Sequence, residues 1–483
     1  MKFWFGLALL GMGCVGFAAA ATEVAGYRHL VTMESSRTVD SAIIRELGRK
    51  DPALACRAAL SLGRTKDPRV QGALLERLRR PADPAVRAMV IYALGLLADH
   101  TPIDLDALRA AFRDAHGVVR AAATDAAQRT IAAQNPGVAS LAEPLEVLMG
   151  SDRDPVVRAR AAVALAAFAD RPQAPAVGDA VLHAFEREAN RTVRVHEAWV
   201  LGRAFAATPS TPVIAAGLSD PDELVRIEFL VVLARHKDTQ LARLADPLLS
   251  DPSWRVAEQA RESLQQLAGG SRTEHLGAIP DGVVTPTPVP EDTTAPLVRP
   301  VGLGAPHKPV AIDARLDLAL VPETAGALDG PMPGPHPRVR IGTTKGAIIV
   351  RLYPEWAPLT VATFLNLVDR GYFDGLRWFR IVPNFVAQTG DPKNTGDGDA
   401  GYTIPAEENP LEQRAGVISM GLDYQNGVAV RDSAGTQFCL TMSPQFHLNR
   451  AFTVFGEIES GFSVLGRLVE TDTMTKVQEI ADD

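Results

Sequence analysis

A short phrase recurs along the first half of this 483-residue chain and limits its fold more than any other feature: Asp-Pro, an apolar stretch, then Arg. It reads Asp83-Pro84-Ala85-Val86-Arg87, Asp154-Pro155-Val156-Val157-Arg158 and Asp251-Pro252-Ser253-Trp254-Arg255. Looser copies end on Arg57, Arg120, Arg194 and Arg226, and those at Arg120 and Arg194 lack the Asp-Pro. Successive arginines stand about one two-helix unit apart, which is the period of a helical repeat. Aspartate accepts the orphan N–H bonds of a helix start. Proline fits the first turn, where its missing N–H is not needed. The stripe after it, as in Arg87-Ala88-Met89-Val90-Ile91-Tyr92-Ala93-Leu94-Gly95, is rich in small and apolar residues that let neighbouring helices approach closely.

These copies together resemble HEAT repeats. The resemblance spans residues 40–267 and implies an all-α solenoid. Each repeated arginine is expected to bond the aspartate of the adjacent repeat and keep the stack in register, rather than to form a binding ladder. Trp199 and Trp254 read as packing residues. No catalytic constellation lies here, so the array reads as a scaffold offering a long surface to an unidentified protein partner.

The length exceeds that of one ordinary domain, and a 46% apolar content suffices for sizeable cores. A net charge of −8 argues against nucleic acid as a partner, because phosphate backbones call for a basic surface. Residues 1–21 hold Lys2, an apolar run to Phe17 and then Ala18-Ala19-Ala20-Ala21, the pattern of a secretory signal peptide. The protein is therefore expected to be exported, periplasmic or extracellular. Lipidation at Cys14, which follows Gly11-Met12-Gly13, would tether it to a membrane, and membrane contact is expected only in that case. Gly11 stands where a leucine-like residue belongs, which disfavours that variant. Cys56 and Cys439 sit inside apolar runs and read as buried free thiols. Residues 268–337 contain Pro286-Thr287-Pro288-Val289-Pro290 and Pro331-Met332-Pro333-Gly334-Pro335, the composition of an extended proline-rich linker.

From residue 338 to 483 the period changes. Val339–Ile341 and Ile348–Leu352 flank Thr343-Thr344-Lys345-Gly346 and read as a hairpin. Pro358 opens a helix with Val361, Phe364, Leu365 and Val368 on one face, and Leu465, Leu468 and Val469 suggest a second. Many short strands with two helices suggest a closed antiparallel barrel capped at its ends. In its midst stands W-F-R-I-V-P-N-F-V-A-Q-T-G-D, residues 378–391. Its turn at Pro383-Asn384 separates two short strands, so Arg380, Phe385 and Gln388 can share one face. This stretch holds no nucleophile–base pair and no metal-ligand cluster. Its chemistry is expected to need no proton transfer, no covalent intermediate, no metal and no cofactor.

The segments R-I-V-P-N-F-V-A-Q-T-G-D, G-V-I-S-M, G-T-Q-F and F-T-V-F-G, in that order, resemble the cyclophilin family of peptidyl-prolyl isomerases. The resemblance implies an eight-stranded barrel with two capping helices that binds proline-containing polypeptides and turns X–Pro bonds. It implies that Arg380, Phe385 and Gln388 are catalytic. It places Val386, Gly421, Phe438, Cys439, His447, Leu448 and Phe452 around the substrate. Cys439 replaces a usual aromatic, which implies a looser proline pocket. His447 replaces a usual Trp or Phe, Phe452 a frequent His or Tyr, and Phe379 the usual His before the arginine. Assistance to the folding of exported proteins is the function these features imply together, with the array recruiting a partner or client. A non-catalytic scaffold whose barrel only binds proline segments is the alternative.

Overall fold

The computed structural model describes Glu34, Arg37, Val39 and residues 41–80, 82–236, 239–269, 336–425 and 428–481. The expected signal peptide, Cys14 and nearly all of the expected linker lie outside these residues. The chain forms two compact units, one ending at His236 and the other comprising the remainder. Among the described residues no helix is long and apolar enough to cross a membrane.

Helices pair in sequence through the first unit: α1 (Ser41–Leu47) with α2 (Pro52–Thr65), α3 (Gln71–Arg79) with α4 (Pro84–Leu96), and α5 (Leu105–Ala111) with α6 (Gly117–Ala132). Then come α7 (Ala142–Ser151) with α8 (Pro155–Leu165), α9 (Ala174–Arg187) with α10 (Arg191–Ala204), and α11 (Thr211–Leu218) with α12 (Glu223–His236). The second helices of successive pairs stack on one another, and each first helix packs on its own partner. Asp51, Asp83 and Asp154 cap α2, α4 and α8, accepting the N–H of Ala53 (2.9 Å), Ala85 (2.8 Å) and Val156 (2.9 Å). Close stacking uses the small residues: a Cβ at Gly95 would sit 2.6 Å from Ala126 Cα.

Among the described residues, four of the seven repeated arginines bridge to an acid of the next repeat, which is an aspartate as expected for Arg87, Arg120 and Arg194 but a glutamate for Arg158. Arg87 donates through Nε and Nη2 to Asp114 at 2.9 Å each. Arg120 grips Asp152 at 2.6 and 2.7 Å, Arg158 grips Glu188 at 2.7 and 3.1 Å, and Arg194 donates to Asp220. Through Nη1 the same four also donate to a carbonyl just before their own helix, those of Ala82, Asp114, Asp152 and Glu188. Each guanidinium thus ties two successive loops, and a two-pronged bond between arginine and carboxylate fixes geometry as well as energy.

The second unit begins with turns of 3-10 helix and α13 (Trp254–Leu267). The sequence phrase at 251–255 assigns α13 to the array; in the structure it belongs with the barrel. Trp254 packs on the barrel core, its indole lying so close over Gly466 that a Cβ there would sit 2.2 Å from the ring.

The barrel strands are β1 (Arg338–Thr343), β2 (Gly346–Leu352), β3 (Arg380–Val382), β4 (Val386–Thr389), β5 (Val417–Met420), β8 (Phe438–Thr441), β9 (Val454–Ser460) and β10 (Met474–Ile480). A separate hairpin joins β6 (Tyr424–Gln425) to β7 (Val428–Ala429). The sheet is antiparallel, in the order β10-β1-β2-β9-β5-β8-β4-β3. The expected closed barrel is corrected here to a half-barrel. The three-residue β3 does not ladder with β10, and their ends meet through one bridge, Arg377 with Thr473, and neighbouring bonds such as Trp378 N–H to Asp472 O at 3.0 Å. Helix α14 (Pro358–Asp369) buries Val361, Phe364, Leu365 and Val368, the face expected of it. The second helix, α15 (Phe462–Leu465), is a single turn, shorter than expected, and Leu468 is buried beyond its end.

Candidate active site

Strand alternation sorts the residues. Ile381, Ala387, Ile418, Met420, Phe438 and Leu440 join the core. Residues between them fall on the other face, where register aligns Arg380 with Gln388, Gln388 with Cys439 and Cys439 with Ser419. Arg380 Nη1 donates to Gln388 Oε1 at 3.2 Å, and its guanidinium carbon lies 5.4 Å from the Phe385 ring centre. Gln388 Nε2 donates to Gln437 Oε1 at 2.9 Å, and Gln437 Nε2 donates to the carbonyls of Gly396 (2.8 Å) and Gly398 (3.1 Å).

This relay has a direction. Two backbone carbonyls can only accept, so the Gln437 nitrogen must face them and its oxygen must face Gln388. The Gln388 nitrogen then faces Gln437, and its oxygen is left for the arginine. The loop at the far end is held by buried Asp391, which accepts from the N–H of Lys393 (2.6 Å), Thr395 (2.8 Å) and Gly396 (2.6 Å).

Around the row stand the pocket walls. Phe385 stacks on His447, ring centres 6.0 Å apart and planes at 16°. Val386 is buried in β4, and Leu448 is buried in the short turn that carries exposed His447. Half-buried Phe452 lies tilted against Tyr424 with ring centres at 6.4 Å. Gly421 donates its N–H to Gln437 O at 2.8 Å, and a Cβ there would crowd Gln437 at 3.2 Å and Gln388 Nε2 at 3.4 Å. Burial pushes the Cys439 thiol up to about 12 against the opposing pull of Arg380, so it stays neutral at ordinary pH. Burial, with the Cys439 thiol adding to it and Arg380 opposing, likewise pushes the Tyr424 hydroxyl up to about 12.

One assignment is corrected. Phe438 is fully buried in the core, edge-on to Phe364, Phe373 and Trp378, and does not line the pocket. Alternation in β8 turns it inward when Cys439 faces the row. Two residues escaped sequence reasoning. Gln437 stands two before Cys439, a spacing that could have marked it as sharing that face. Tyr424 lies in a two-residue strand, too short for any periodicity to signal.

Comparison with known proteins bears on the same segments. Residues 338–482 match the family "Cyclophilin type peptidyl-prolyl cis-trans isomerase/CLD", and residues 41–128 match HEAT repeats. Peptidyl-prolyl cis-trans isomerase B of Bacillus subtilis is 43% identical over 129 residues, 26% of this chain and 86% of its own. A peptidyl-prolyl cis-trans isomerase of Synechococcus elongatus is 37% identical over 142 residues, 29% of this chain and 94% of its own. A crystal structure of a Cryptosporidium parvum cyclophilin type isomerase aligns over 99% of its chain and 31% of this one, with 25% identity and a TM-score of 0.29. Identity at this level, extending over most of each relative, agrees with the Arg380 row and its stacked pocket wall: the chain belongs to the cyclophilin-type peptidyl-prolyl cis-trans isomerase family, with HEAT repeats preceding the isomerase domain.

Proposed function

We propose that this isomerase turns X–Pro bonds in exported polypeptides as they fold, with the repeat array engaging a partner or client. The observation that carries the catalytic part is the directed relay from the Gly396–Gly398 carbonyls through Gln437 and Gln388 to Arg380. An amide resists rotation by about 18–20 kcal/mol, because resonance is lost in the twisted state. Twisting frees the lone pair of the prolyl nitrogen, and a donor already aimed at it binds that state more strongly than either planar isomer. A guanidinium carries five N–H donors, so a bond to Gln388 orients the group toward substrate. Phe385, against His447, and Phe452, against Tyr424, offer apolar walls for the proline ring. A preorganised donor of this kind is worth about 3–4 kcal/mol where water is excluded.

The test is cis/trans exchange of an X–Pro peptide by the full chain and by Arg380→Ala. Turnover by the wild type no faster than by the variant would refute the catalytic reading. No proton is transferred, and the Cys439 and Tyr424 groups titrate only near about 12, so the rate should stay flat from pH 7 to 9. Support for export is the leader pattern of residues 1–21. Retention of that segment on a protein confined to the cytoplasm would refute it.

A further inference from the structure

The seventh copy of the phrase behaves unlike the others. In the first unit Arg87, Arg120, Arg158 and Arg194 each reach an acid 26 to 32 residues on, while Arg57 bonds Glu34 within the same unit. Arg255, at the start of α13, instead donates through Nη2 to Met442 O of the barrel at 2.6 Å, 187 residues on. Its guanidinium carbon lies 5.6 Å from the Phe462 ring centre. From the barrel side, Asn384 Nδ2 donates to Arg255 O at 2.9 Å and to Gln259 Oε1 at 3.4 Å. Arg255, Gln259 and Asn384 are all more than nine-tenths buried.

Asn384 is the residue before Phe385, in the β3–β4 turn, with a left-handed backbone (φ 52°) that asparagine tolerates better than most side chains. Its carbonyl accepts from Ser443 Oγ and from Gln445 Nε2 at 3.0 Å. Met442, whose carbonyl Arg255 holds, donates its own N–H to Phe385 O at 2.8 Å. The peptide that carries Phe385 is thus held on both sides by groups that α13 grips. Phe385 in turn lies under Arg380 and against His447.

We propose that α13 is a positioning element of the isomerase site, acting through Asn384 and Met442 on Phe385. The working module is then the barrel together with the last helix to carry the array's phrase. This deepens the isomerase reading and rests on it. Phe385 is a wall for the proline ring in planar and twisted states alike, so misplacing it removes uniform binding. The loss should fall on KM and spare kcat, unlike the loss of Arg380.

The experiment uses the full chain with Arg255→Ala, Gln259→Ala, Asn384→Gly and the exposed same-helix control Gln266→Ala. Asn384→Gly keeps the left-handed turn and removes only the side-chain bonds. X–Pro exchange and amide hydrogen exchange are read on each. Arg255→Ala and Asn384→Gly should raise KM about three- to tenfold with kcat within about twofold. Arg255→Lys should recover part of the loss. Gln259→Ala should add little to Asn384→Gly, because both remove one contact. Segments 382–388 and 440–445 should exchange faster while 346–352 does not, and Gln266→Ala should match the wild type. Unchanged KM in both Arg255→Ala and Asn384→Gly, with or without faster exchange at 382–388, would overturn the proposal. If Arg255→Ala fails to fold, Gln259→Ala and Asn384→Gly decide on the same readings. A wild type that turns over no peptide would refute the isomerase reading instead, and the exchange data would still report whether α13 grips the turn.

Discussion

In the array, Arg120 meets Asp152 with two bonds at 2.6 and 2.7 Å, and the two side chains are 9% and 4% exposed. In the barrel, Arg380 stands half-buried, one of its nitrogens on the neutral amide of Gln388 and an aromatic ring beside it. The difference shows what a partner does to a guanidinium. Burial alone would raise the Asp152 carboxyl, yet Arg120 holds it below its ordinary range, and Asp152 raises the arginine in return. Each charge is spent on the other, and the product is register between loops. The Gln388 amide, which carries no charge, sets the direction of one Arg380 nitrogen, and Gln388 is itself set by Gln437.

Removing the guanidinium should therefore cost different things in the two places. Arg380→Ala should lower kcat/KM about 10²–10³-fold, chiefly in kcat, with the melting temperature nearly unchanged. Arg380→Lys should fall between, since it keeps the charge but loses the planar fork. Arg120→Ala should leave the Asp152 carboxylate buried without its two-pronged partner, destabilising the helical unit by about 3 kcal/mol in denaturant melts. X–Pro turnover measured well below that melt should not move. Loss of turnover in Arg120→Ala, or loss of stability without loss of turnover in Arg380→Ala, would break the distinction.

Local signals made most of this legible. The caps at Asp83 and Asp154, the helix from Pro358 and the β1–β2 hairpin follow from caps, turns and period, which act within a few residues. Arg380, Phe385 and Gln388 lie within nine residues of one another, so one hairpin brings them together. The rest depends on contacts distant in sequence. The segment around Phe438 belongs to the pocket, and only the pairing of β8 with β4 shows that this ring turns away from it. Tyr424 joins through a two-residue hairpin, and α13 looks like one more repeat until its arginine is seen to bond Met442. Failure of β3 to ladder with β10 is likewise invisible without the register.

Glu197 sharpens the comparison from the side of the acid. It lies in α10, fully buried, and among the described residues neither carboxyl oxygen has a hydrogen-bond partner. Burial, reinforced by Glu188 and only partly opposed by Arg194 and Arg158, pushes its carboxyl from 4.5 up to about 8. Below about 4.5 folded and unfolded chains both hold the proton, and the contribution to stability is whole. Between about 4.5 and 8 the unfolded chain releases it while the folded one keeps it, so stability drains as pH rises. Glu197→Gln should match the wild type near pH 4.5 and exceed it by about 4 kcal/mol at pH 8 in melts of the helical unit. Equal melts at both pH values would mean that the ladder arginines neutralise Glu197 as they do Asp152.

The smallest effect tests the far wall of the pocket. Where relatives are expected to carry an aromatic, Cys439 is small, and Tyr424 leans on Phe452 beside it. If that tyrosine makes up for the missing ring, its contribution is one aromatic pair, about 0.5–1.5 kcal/mol. Tyr424→Ala should then raise KM about threefold for X–Pro peptides with little change in kcat, while Tyr424→Phe should do nothing, because a ring and not a hydroxyl forms the wall. Cys439→Phe should restore most of the loss in the Tyr424→Ala background, by putting a ring back into the space the tyrosine leaves. In the wild-type background the same change should harm binding instead, since two rings would compete for one volume. The two opposite signs would place the pocket wall on a hairpin that the Arg380 side of the site does not touch through its sheet register. Equal effects of Cys439→Phe in both backgrounds would show that Tyr424 plays no part in it.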